Sequence, residues 1–386
     1  MFVELRGSLR IQIEMNVVIS DNWGRYASGF KRKSQVRNLI MKKLRIGVVG
    51  LGMGRAHIKG YREHSDADVV AIADADKERL DKATEEFGIA RSYTDALAMF
   101  KAENLDIVSI AVPNKFHKSL AIAALESGAH VLCEKPMAMN AVEAEAMLAA
   151  AKRAKKRIGV NFSFRFNPQS FAMKKLIESG ELGDIYFGRS VWHRRRGMPG
   201  FGGWFGNKAL AGGGPLIDLG VHRLDLALWL MDYPEPDWVM GSTYNHIASA
   251  IARKEKKTFD VEDLACGMIK FKNGATLEIE ASWAANIKEN EQMSTRLLGT
   301  KGGLFQYNVE EGYQFEVECY QEKAGCQYDM HLHPPVTACK SSYYTFVDCI
   351  VKDIPFLVAP EQGVTVMRLL DAIYKSAATG KPIKMR

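Results

Sequence analysis

Two short segments contain side chains that could carry out proton chemistry. One is residues 129–140, AHVLCEKPMAMN, whose apolar run ends at Glu134, Lys135 and Pro136. Lysine and glutamate are rarely buried unless they are paired or functional, and proline cannot donate to a sheet ladder, so a strand must end here. An ammonium at the carboxyl end of a parallel strand could stabilise negative charge on a substrate oxygen. Glu134 could pair with it or with a cofactor; the alternative is a surface lysine.

The other segment is residues 209–231, ALAGGGPLIDLGVHRLDLALWLM, a glycine-rich loop followed by a helical pattern. Asp218, His222 and Asp225 have the spacing i, i+4, i+7, which predicts one shared helix face. A histidine with a pKa near neutrality could take the hydroxyl proton of a secondary alcohol while hydride leaves. Asp218 could orient the ring and stabilise the imidazolium. Taken alone, a satisfied polar cluster is the simpler interpretation.

A glycine-rich turn, GVVGLGMGRAH, follows the first predicted strand and precedes the first predicted helix. Gly50, Gly52 and Gly54, with Leu51 and Met53 between them, would let backbone N–H groups approach a pyrophosphate. The helix N-terminus would add partial positive charge. The spacing G-x-G-x-G is one residue shorter than G-x-G-x-x-G, so a glycine turn without a ligand is a fair alternative.

Asp74 ends the next predicted strand, 24 residues after Gly50. A carboxylate about 20 residues after the glycine turn hydrogen-bonds a ribose 2′-hydroxyl in dinucleotide-binding folds. It would repel a 2′-phosphate, so we predict NAD rather than NADP as the cofactor. Capping of the helix that starts near Asp76 is a compatible second role for Asp74.

The order of the predicted elements divides the chain into two domains. Residues 44–162 alternate short apolar runs with amphipathic helices, which predicts a parallel sheet covered by helices on both faces. After residue 163 the runs are longer, with hairpin signals at Asn273-Gly274 and Lys301-Gly302-Gly303. The predicted fold class is α/β, with domains 41–162 and 163–386, and the second domain contains a large open, mostly antiparallel sheet.

Composition limits the classes of function. Apolar residues make up 47% and charged residues 25%, as in soluble globular proteins, and no run reaches the ~18 apolar residues of a membrane span. The net charge is +7, of which residues 1–40 contribute +4, so the rest gives no case for nucleic acid binding. Residues 1–40 are predicted to be a poorly ordered extension or an over-extended gene start; an arm on a partner subunit is the alternative.

The six cysteines form no C-x-x-C pair. Without an export signal they predict reduced thiols and a cytoplasmic protein. Cys326, His331 and His333 fit no standard zinc spacing. We therefore predict no metal and interpret them as loop residues near a substrate entrance.

Motifs along the chain resemble the Gfo/Idh/MocA oxidoreductases, the family of glucose–fructose oxidoreductase and inositol dehydrogenase. The resemblance covers residues 43–386. It implies an N-terminal Rossmann domain and a C-terminal domain whose exposed sheet face builds homodimers or homotetramers. The shared motifs are GVVGLGMGRAHI, VAIAD, AVPNKFH, GAHVLCEKPMA, GVNFSFRFNP, GGGPLIDLGVHRLD and VEDLACGMIKFKNGATLEIEASW.

The resemblance also implies roles for individual residues. Lys135 would contact substrate and cofactor, with a cis bond to Pro136, and Glu134 would lie at the cofactor. Asp218 and His222 would be catalytic, with His222 as the general base. The segment lining the cofactor would contain Pro113, Asn114 and His117, and Arg165 would follow the sixth strand near nicotinamide and substrate.

Residues 193–205, HRRRGMPGFGGWF, form the predicted specificity loop. Trp204 or Phe201 could stack on a sugar. Arginine forks match carboxylates and phosphates, and we expect at most one arginine of the triplet to touch the substrate, with Arg195 as the candidate. A neutral substrate is favoured.

The predicted function is NAD-dependent oxidation of a ring secondary hydroxyl of a sugar, glycoside or cyclitol, for which C3 of a glucosyl unit is suggested by family relatives. One alternative is a redox-neutral glycosidase that uses bound NAD transiently. The other is a non-catalytic NAD-binding regulator.

Overall fold

The computed structural model describes residues 43–333 and 339–385. The extension predicted for residues 1–40 lies outside the described residues, as do the first two residues of the predicted first domain.

The first domain alternates strands and helices, as predicted. Its elements are β1 (Leu44–Val49), α1 (Gly54–Arg62), β2 (Ala67–Ala73), α2 (Lys77–Phe87), β3 (Ser92–Tyr93), α3 (Ala96–Ala102), β4 (Ile107–Ile110), α4 (His117–Glu126), β5 (His130–Cys133), α5 (Ala141–Ala154) and β6 (Ile158–Val160). The strands form a parallel sheet in the order β3-β2-β1-β4-β5-β6. Ile46 and Val48 of β1 and the apolar side chains of β4 are fully buried, because helices cover both faces of such a sheet.

The second domain is built on a nine-stranded sheet in the order β14-β13-β12-β11-β7-β10-β9-β8-β15. Neighbouring strands are antiparallel except for β7 and β10, which are parallel. This confirms the predicted fold class. The strands are β7 (Ile185–Arg194), β8 (Pro236–Tyr244), β9 (Leu264–Phe271), β10 (Thr276–Ser282), β11 (Glu291–Gly299), β12 (Gly302–Val309), β13 (Gln314–Lys323), β14 (Cys326–His331) and β15 (Ile383–Lys384).

The helices of this domain are α6 (Pro168–Glu178), α7 (Lys208–Ala211), α8 (Val221–Leu230), α9 (Ile247–Lys254), α10 (Ser342–Val351) and α11 (Pro360–Thr379). A π-helical turn, Leu216–Gly220, leads directly into α8. The hairpin between β9 and β10 turns at Gly274 with φ +91°, in agreement with the predicted Asn273-Gly274 turn.

The two faces of the second sheet have different surroundings. Helix α11 packs so closely on one face that a Cβ atom at Gly267 would lie 2.9 Å from Ile373. Met240 and Met268, which alternate with such inward positions on β8 and β9, are 37% and 36% exposed. The opposite face therefore presents apolar side chains to solvent.

Helix α10 returns to the first domain although it lies near the end of the chain. Its Phe346 is buried in one cluster with Ile58 of α1 and Ile46 of β1. A Cβ atom on Gly60 would lie 2.2 Å from the Tyr343 ring, so the glycine allows this close approach. The C-terminal segment thus joins the two domains.

Within the described ranges, no helix has both the length and the apolar character needed to cross a bilayer. In the same part of the chain, no three His, Cys, Asp or Glu side chains are placed together as metal ligands.

Candidate active site

Three adjoining cavities extend from the carboxyl end of the first sheet towards the second domain. We name them by one lining residue each: the Asp74 cavity of about 460 Å³, the Lys135 cavity of about 470 Å³ and the His222 cavity of about 640 Å³. The first two share Pro113, and the last two share Lys135 and Asp218. The cavities therefore form one continuous groove.

The glycine turn lies at the side of this groove. Gly50 has φ +84°, and a Cβ atom there would lie 2.2 Å from the Ala111 carbonyl oxygen, so the turn requires glycine. A Cβ atom on Gly52 would meet nothing within 4 Å, which leaves the backbone open to the groove. Met53 lines the Lys135 and His222 cavities, and α1 begins at Gly54. The shortened turn thus fits a dinucleotide.

Asp74 is 8% exposed and lines the first cavity. Its carboxylate accepts hydrogen bonds from the backbone N–H of Leu51 (2.7 Å) and of Asp76 (2.9 Å). The Arg79 guanidinium lies 3.3 Å away. Asp76, rather than Asp74, caps α2. Asp74 therefore fixes the glycine turn as well as the edge of the cavity, and its contact with a ribose stays a prediction.

Lys135 is held by Asp218. Its Nζ donates to the Asp218 carboxylate (2.8 Å) and to the Asp218 backbone carbonyl (3.0 Å). The second carboxylate oxygen accepts from Trp283 Nε1 at 3.1 Å. The peptide bond between Lys135 and Pro136 is cis, as the resemblance implied. Asp218 was expected to orient His222, but it holds Lys135 and Trp283 instead, and the buried Nδ1 of His222 has no hydrogen-bond partner among the described residues.

His222 lines the cavity between two aromatic rings. Its ring centroid lies 5.0 Å from that of Phe164 and 5.7 Å from that of Trp192. Its buried Nδ1 has no hydrogen-bond partner among the described residues. Burial, with the positive charges of Lys135 and Arg223, lowers the pKa of His222 well below its usual value. The expected near-neutral pKa is therefore wrong, and the imidazole is neutral at pH 7.

Asp225 and Arg165 do not reach the cavity. The guanidinium of Arg165 is 0% exposed and makes two hydrogen bonds to the Asp225 carboxylate, at 2.8 and 2.6 Å. Tyr233, Gln362 and the Leu357 carbonyl occupy its three remaining donors. His222 and Asp225 both lie in the regular helix α8, but the Asp225 carboxylate binds Arg165 and does not face the cavity, so the predicted common face is not realised. Arg165 therefore stabilises the second domain and, contrary to its expected place beside the cofactor, lines none of the three cavities.

Glu134 belongs to a buried network that sequence reasoning missed. Its carboxylate lies 2.8 Å from His57 Nε2 and also accepts from Asn161 Nδ2 at 2.5 Å. The other nitrogen of His57 lies 2.7 Å from Ser109 Oγ. Burial acts to raise the pKa of Glu134, but the bonds from His57 and Asn161 outweigh it and the pKa is lowered. His57 follows the glycine turn by one helical turn, which was the available signal.

Residues 113–117 have two different roles: some line the Lys135 cavity, and His117 supports the backbone behind it. Pro113 and Asn114 line the Lys135 cavity. His117 is fully buried, and its ring nitrogens lie 2.8 Å from the carbonyls of Pro136 and Val112. It therefore positions the chain around Lys135, and its predicted direct contact with the cofactor is wrong.

Arg194, rather than Arg195, faces the His222 cavity. Arg194 Nε pairs with Glu291 at 2.8 Å, and its Nη2 donates to Tyr313 at 2.9 Å. Arg195 instead donates to the Lys288 carbonyl at 3.3 Å and does not line the cavity. Arg195, the candidate from the sequence, lies one residue after the end of β7, and contact of at most one arginine with the substrate stays a prediction.

Aromatic rings form much of the remaining wall. Trp204 stacks on Phe205 with ring centroids 3.8 Å apart and lines the Lys135 cavity, and its contact with a sugar stays a prediction. Behind the His222 cavity, the buried Arg223 guanidinium lies 4.9 Å from the Phe164 ring and 5.1 Å from the Phe315 ring. Its Nε and Nη2 have no hydrogen-bond partner in the described part of the chain. Nothing in the sequence pattern distinguished this arginine from a surface one.

Fold and site together define a two-domain protein with a dinucleotide-type groove that ends at a lysine and a histidine. The chain belongs to the Gfo/Idh/MocA family. Residues 44–162 match the model of the oxidoreductase family with an NAD-binding Rossmann fold, and residues 171–305 match the GFO/IDH/MocA C-terminal domain.

Curated relatives and solved structures agree with this assignment. The chain is 31% identical to D-glucoside 3-dehydrogenase of Escherichia coli (strain K12), over 89% of this chain and 97% of the relative. It is 26% identical to myo-inositol 2-dehydrogenase of Thermotoga maritima, over 89% and 98%. The structure of levoglucosan dehydrogenase in complex with NADH superposes with a TM-score of 0.79 at 26% identity, over 89% of this chain and 100% of that one.

Proposed function

We propose that this protein is an NAD-dependent dehydrogenase that oxidises a secondary hydroxyl on the ring of a neutral sugar, glycoside or cyclitol. The observation that carries the proposal is the placement of the Lys135 ammonium and a neutral His222 imidazole on one cavity, continuous with the glycine-turn groove. The relatives' names support the substrate class. The glucoside 3-dehydrogenase makes C3 of a glucosyl unit the first position to test.

The residues present fit NAD. Gly50 and Gly52 leave the turn open for a pyrophosphate, and Asp74 lines the adjoining cavity, where we expect it to accept from a ribose 2′-hydroxyl. The Asp74 carboxylate disfavours a 2′-phosphate, which supports NAD over NADP. Glu134 and Lys135 border the inner end of the groove. When bound, the nicotinamide supplies the hydride acceptor.

Lys135 and His222 act on the substrate hydroxyl group and its proton. Lys135, held by Asp218, donates a hydrogen bond to the substrate hydroxyl oxygen and stabilises its developing negative charge. His222 accepts the hydroxyl proton as the C–H bond breaks, because a neutral imidazole has a free acceptor nitrogen. The substrate loses one proton and one hydride and leaves as a ketone.

The wall of the His222 cavity favours a neutral ring. Phe164, Trp192 and Phe315 offer apolar surface to the C–H face of a sugar. Arg194 lines the same cavity, but Glu291 already neutralises its charge. An anionic substrate group would have to displace this carboxylate, so sugar phosphates and uronic acids are expected to be poorer substrates.

The proposal is tested by following NADH absorbance with purified protein, NAD and a panel of hexoses, glucosides, sugar phosphates, uronic acids and inositols. We expect NADH with at least one neutral class and little with its anionic counterparts. Aglycone release from a glycoside without net NADH would contradict the dehydrogenase and indicate the redox-neutral glycosidase.

A further inference from the structure

A fourth cavity of about 580 Å³ opens from the His222 cavity, and we name it the His331 cavity. It shares Asn167, Tyr313 and Phe315 with the His222 cavity. Its size lies within the range of ~300–1,000 Å³ of small-molecule sites. Nothing in the proposed reaction uses it, since hydride and proton transfer both occur beside Lys135.

The His331 cavity has the surface of a carbohydrate subsite. Its apolar part is made by Phe315 and Val317, which are buried, and by Leu332. Polar residues surround this floor and can hydrogen-bond hydroxyls. They are Asn167, Gln169, Gln314, His331 and His333. An apolar floor with a polar rim matches a sugar ring, which has a C–H face and a hydroxyl edge.

Tyr313 stands where the two cavities meet. It is 57% exposed, and its hydroxyl accepts from Arg194 Nη2 at 2.9 Å. This bond connects the phenol to the wall of the His222 cavity while its ring borders both spaces. A ligand that spans the junction would therefore pass the aromatic ring.

The charges at this cavity select against anions. The described residues that line it include no lysine or arginine. Glu316 is among them, and its carboxylate accepts from Tyr307. Glu318 lies 3.8 Å from His331 Nδ1. The described lining therefore offers a phosphate or carboxylate no lysine or arginine partner, whereas a neutral ring needs none.

We propose that the His331 cavity binds the second ring of a neutral glycoside, so that the substrate is a disaccharide or a glycoside with a ring-sized aglycone. This inference rests on the proposed function, because the first ring is the one oxidised in the His222 cavity. The second ring lies away from the reacting atoms and contributes equally to the ground state and the transition state. It therefore lowers KM and leaves kcat nearly unchanged.

The test compares cellobiose and maltose with methyl β- and α-D-glucoside, which have the same first ring and no second ring. Steady-state kinetics with NAD and calorimetric binding in the presence of NADH are measured for each. We expect at least one disaccharide to have a KM and a Kd about tenfold lower than its methyl glucoside, with kcat within about threefold.

Two variants test whether the preference for a disaccharide over its methyl glucoside arises from the His331 cavity. Gln169→Trp fills it from α6, and His333→Ala removes part of its rim. Both should lower kcat/KM for the disaccharide towards that for the methyl glucoside. Gln327→Trp, the same substitution at an exposed β14 residue that does not line the cavity, should keep the preference.

Each other outcome is decisive. Equal constants for disaccharide and methyl glucoside in the unaltered protein, or an unchanged preference in both cavity variants, would overturn the second subsite and leave the dehydrogenase intact. Failure of every sugar to bind or to be oxidised would contradict the proposed function and the subsite together.

Discussion

Lys135 is the residue on which the proposed chemistry depends most, and its position is set by Asp218. Replacement by methionine keeps much of the stem and removes the charge. We expect kcat to fall by about 10²–10³-fold, since one preorganised donor to a developing oxyanion is worth about that much. The measurement is NADH formation with a neutral glucoside under saturating NAD.

Asp218→Asn provides the companion variant. It keeps the shape and removes the charge that holds Lys135 at 2.8 Å, so kcat should fall while the Kd for NADH, followed by fluorescence, stays within a few-fold of the parent. Unchanged kcat in both variants would remove Lys135 from the mechanism.

His222 is expected to work as a base of unusually low pKa. Burial and the nearby Lys135 charge lower that pKa, so the base is unprotonated above the depressed value and active there. The kcat/KM for oxidation should stay level as pH falls from 8 to about 6.5, where an ordinary histidine is half protonated. It should decline only below that range.

The control is His222→Ala, which should lose about 10²–10⁴-fold in kcat and with it the acidic limb of the profile. An acidic limb centred at pH 6.5 or above in the parent would show that the positive charges do not act on His222 as described.

At the scale of single residues, the sequence identified Lys135 and His222 as candidates. It assigned Asp218 to His222, whereas Asp218 holds Lys135. Their types and positions after strands or loops are visible in the sequence. The partners are not, because Asp218, whose carboxylate also accepts from Trp283, meets Lys135 only after the two domains fold together. For the same reason the sequence placed Arg165 beside the cofactor, whereas its guanidinium is buried against Asp225.

Among the secondary-structure elements, the buried pair Arg165–Asp225 links the segment after β6 to helix α8. Neither side chain is more than 1% exposed. Asp225→Asn should reduce the free energy of unfolding by about 3–5 kcal/mol, because it leaves an uncompensated buried charge. Urea unfolding followed by circular dichroism measures the change.

The double variant Arg165→Met with Asp225→Leu tests whether the loss of stability comes from the unpaired buried charge. Removing both charges should restore most of the lost stability, since an apolar pair avoids the desolvation cost. If the free energies of unfolding lost in the two single variants add up in the double variant, the two residues act separately.

The elements themselves were largely predictable. Apolar runs with glycine or proline stops identified the alternating strands and helices, and Asn273-Gly274 predicted a real hairpin. The π-helical turn Leu216–Gly220 was not predictable from periodicity, and it alters the spacing of Asp218 relative to His222. Spacing rules hold only where the helix geometry is regular.

For the whole molecule, we propose that a second copy of the chain covers the exposed face of the second sheet, as the family resemblance implies. Met240 and Met268 present apolar surface there. Met240→Glu combined with Met268→Glu should shift the protein to a smaller species, because paired like charges oppose association. Light scattering after size exclusion measures the mass.

Lys101→Glu, which makes the same total change of charge on helix α3 of the first domain and away from this sheet face, is the control and should leave the mass unchanged. A parent protein that is monomeric at working concentration would contradict this arrangement.

The central claim is that hydride leaves a ring carbon of a neutral sugar and reaches the nicotinamide. The most direct measurement uses a glucoside deuterated at its ring carbons, with NAD, and mass spectrometry of the dinucleotide formed. The account predicts NADH carrying one deuterium, produced by the parent protein and at a severely reduced rate by His222→Ala. Unlabelled NADH, or sugar turnover with no net NADH, would contradict it.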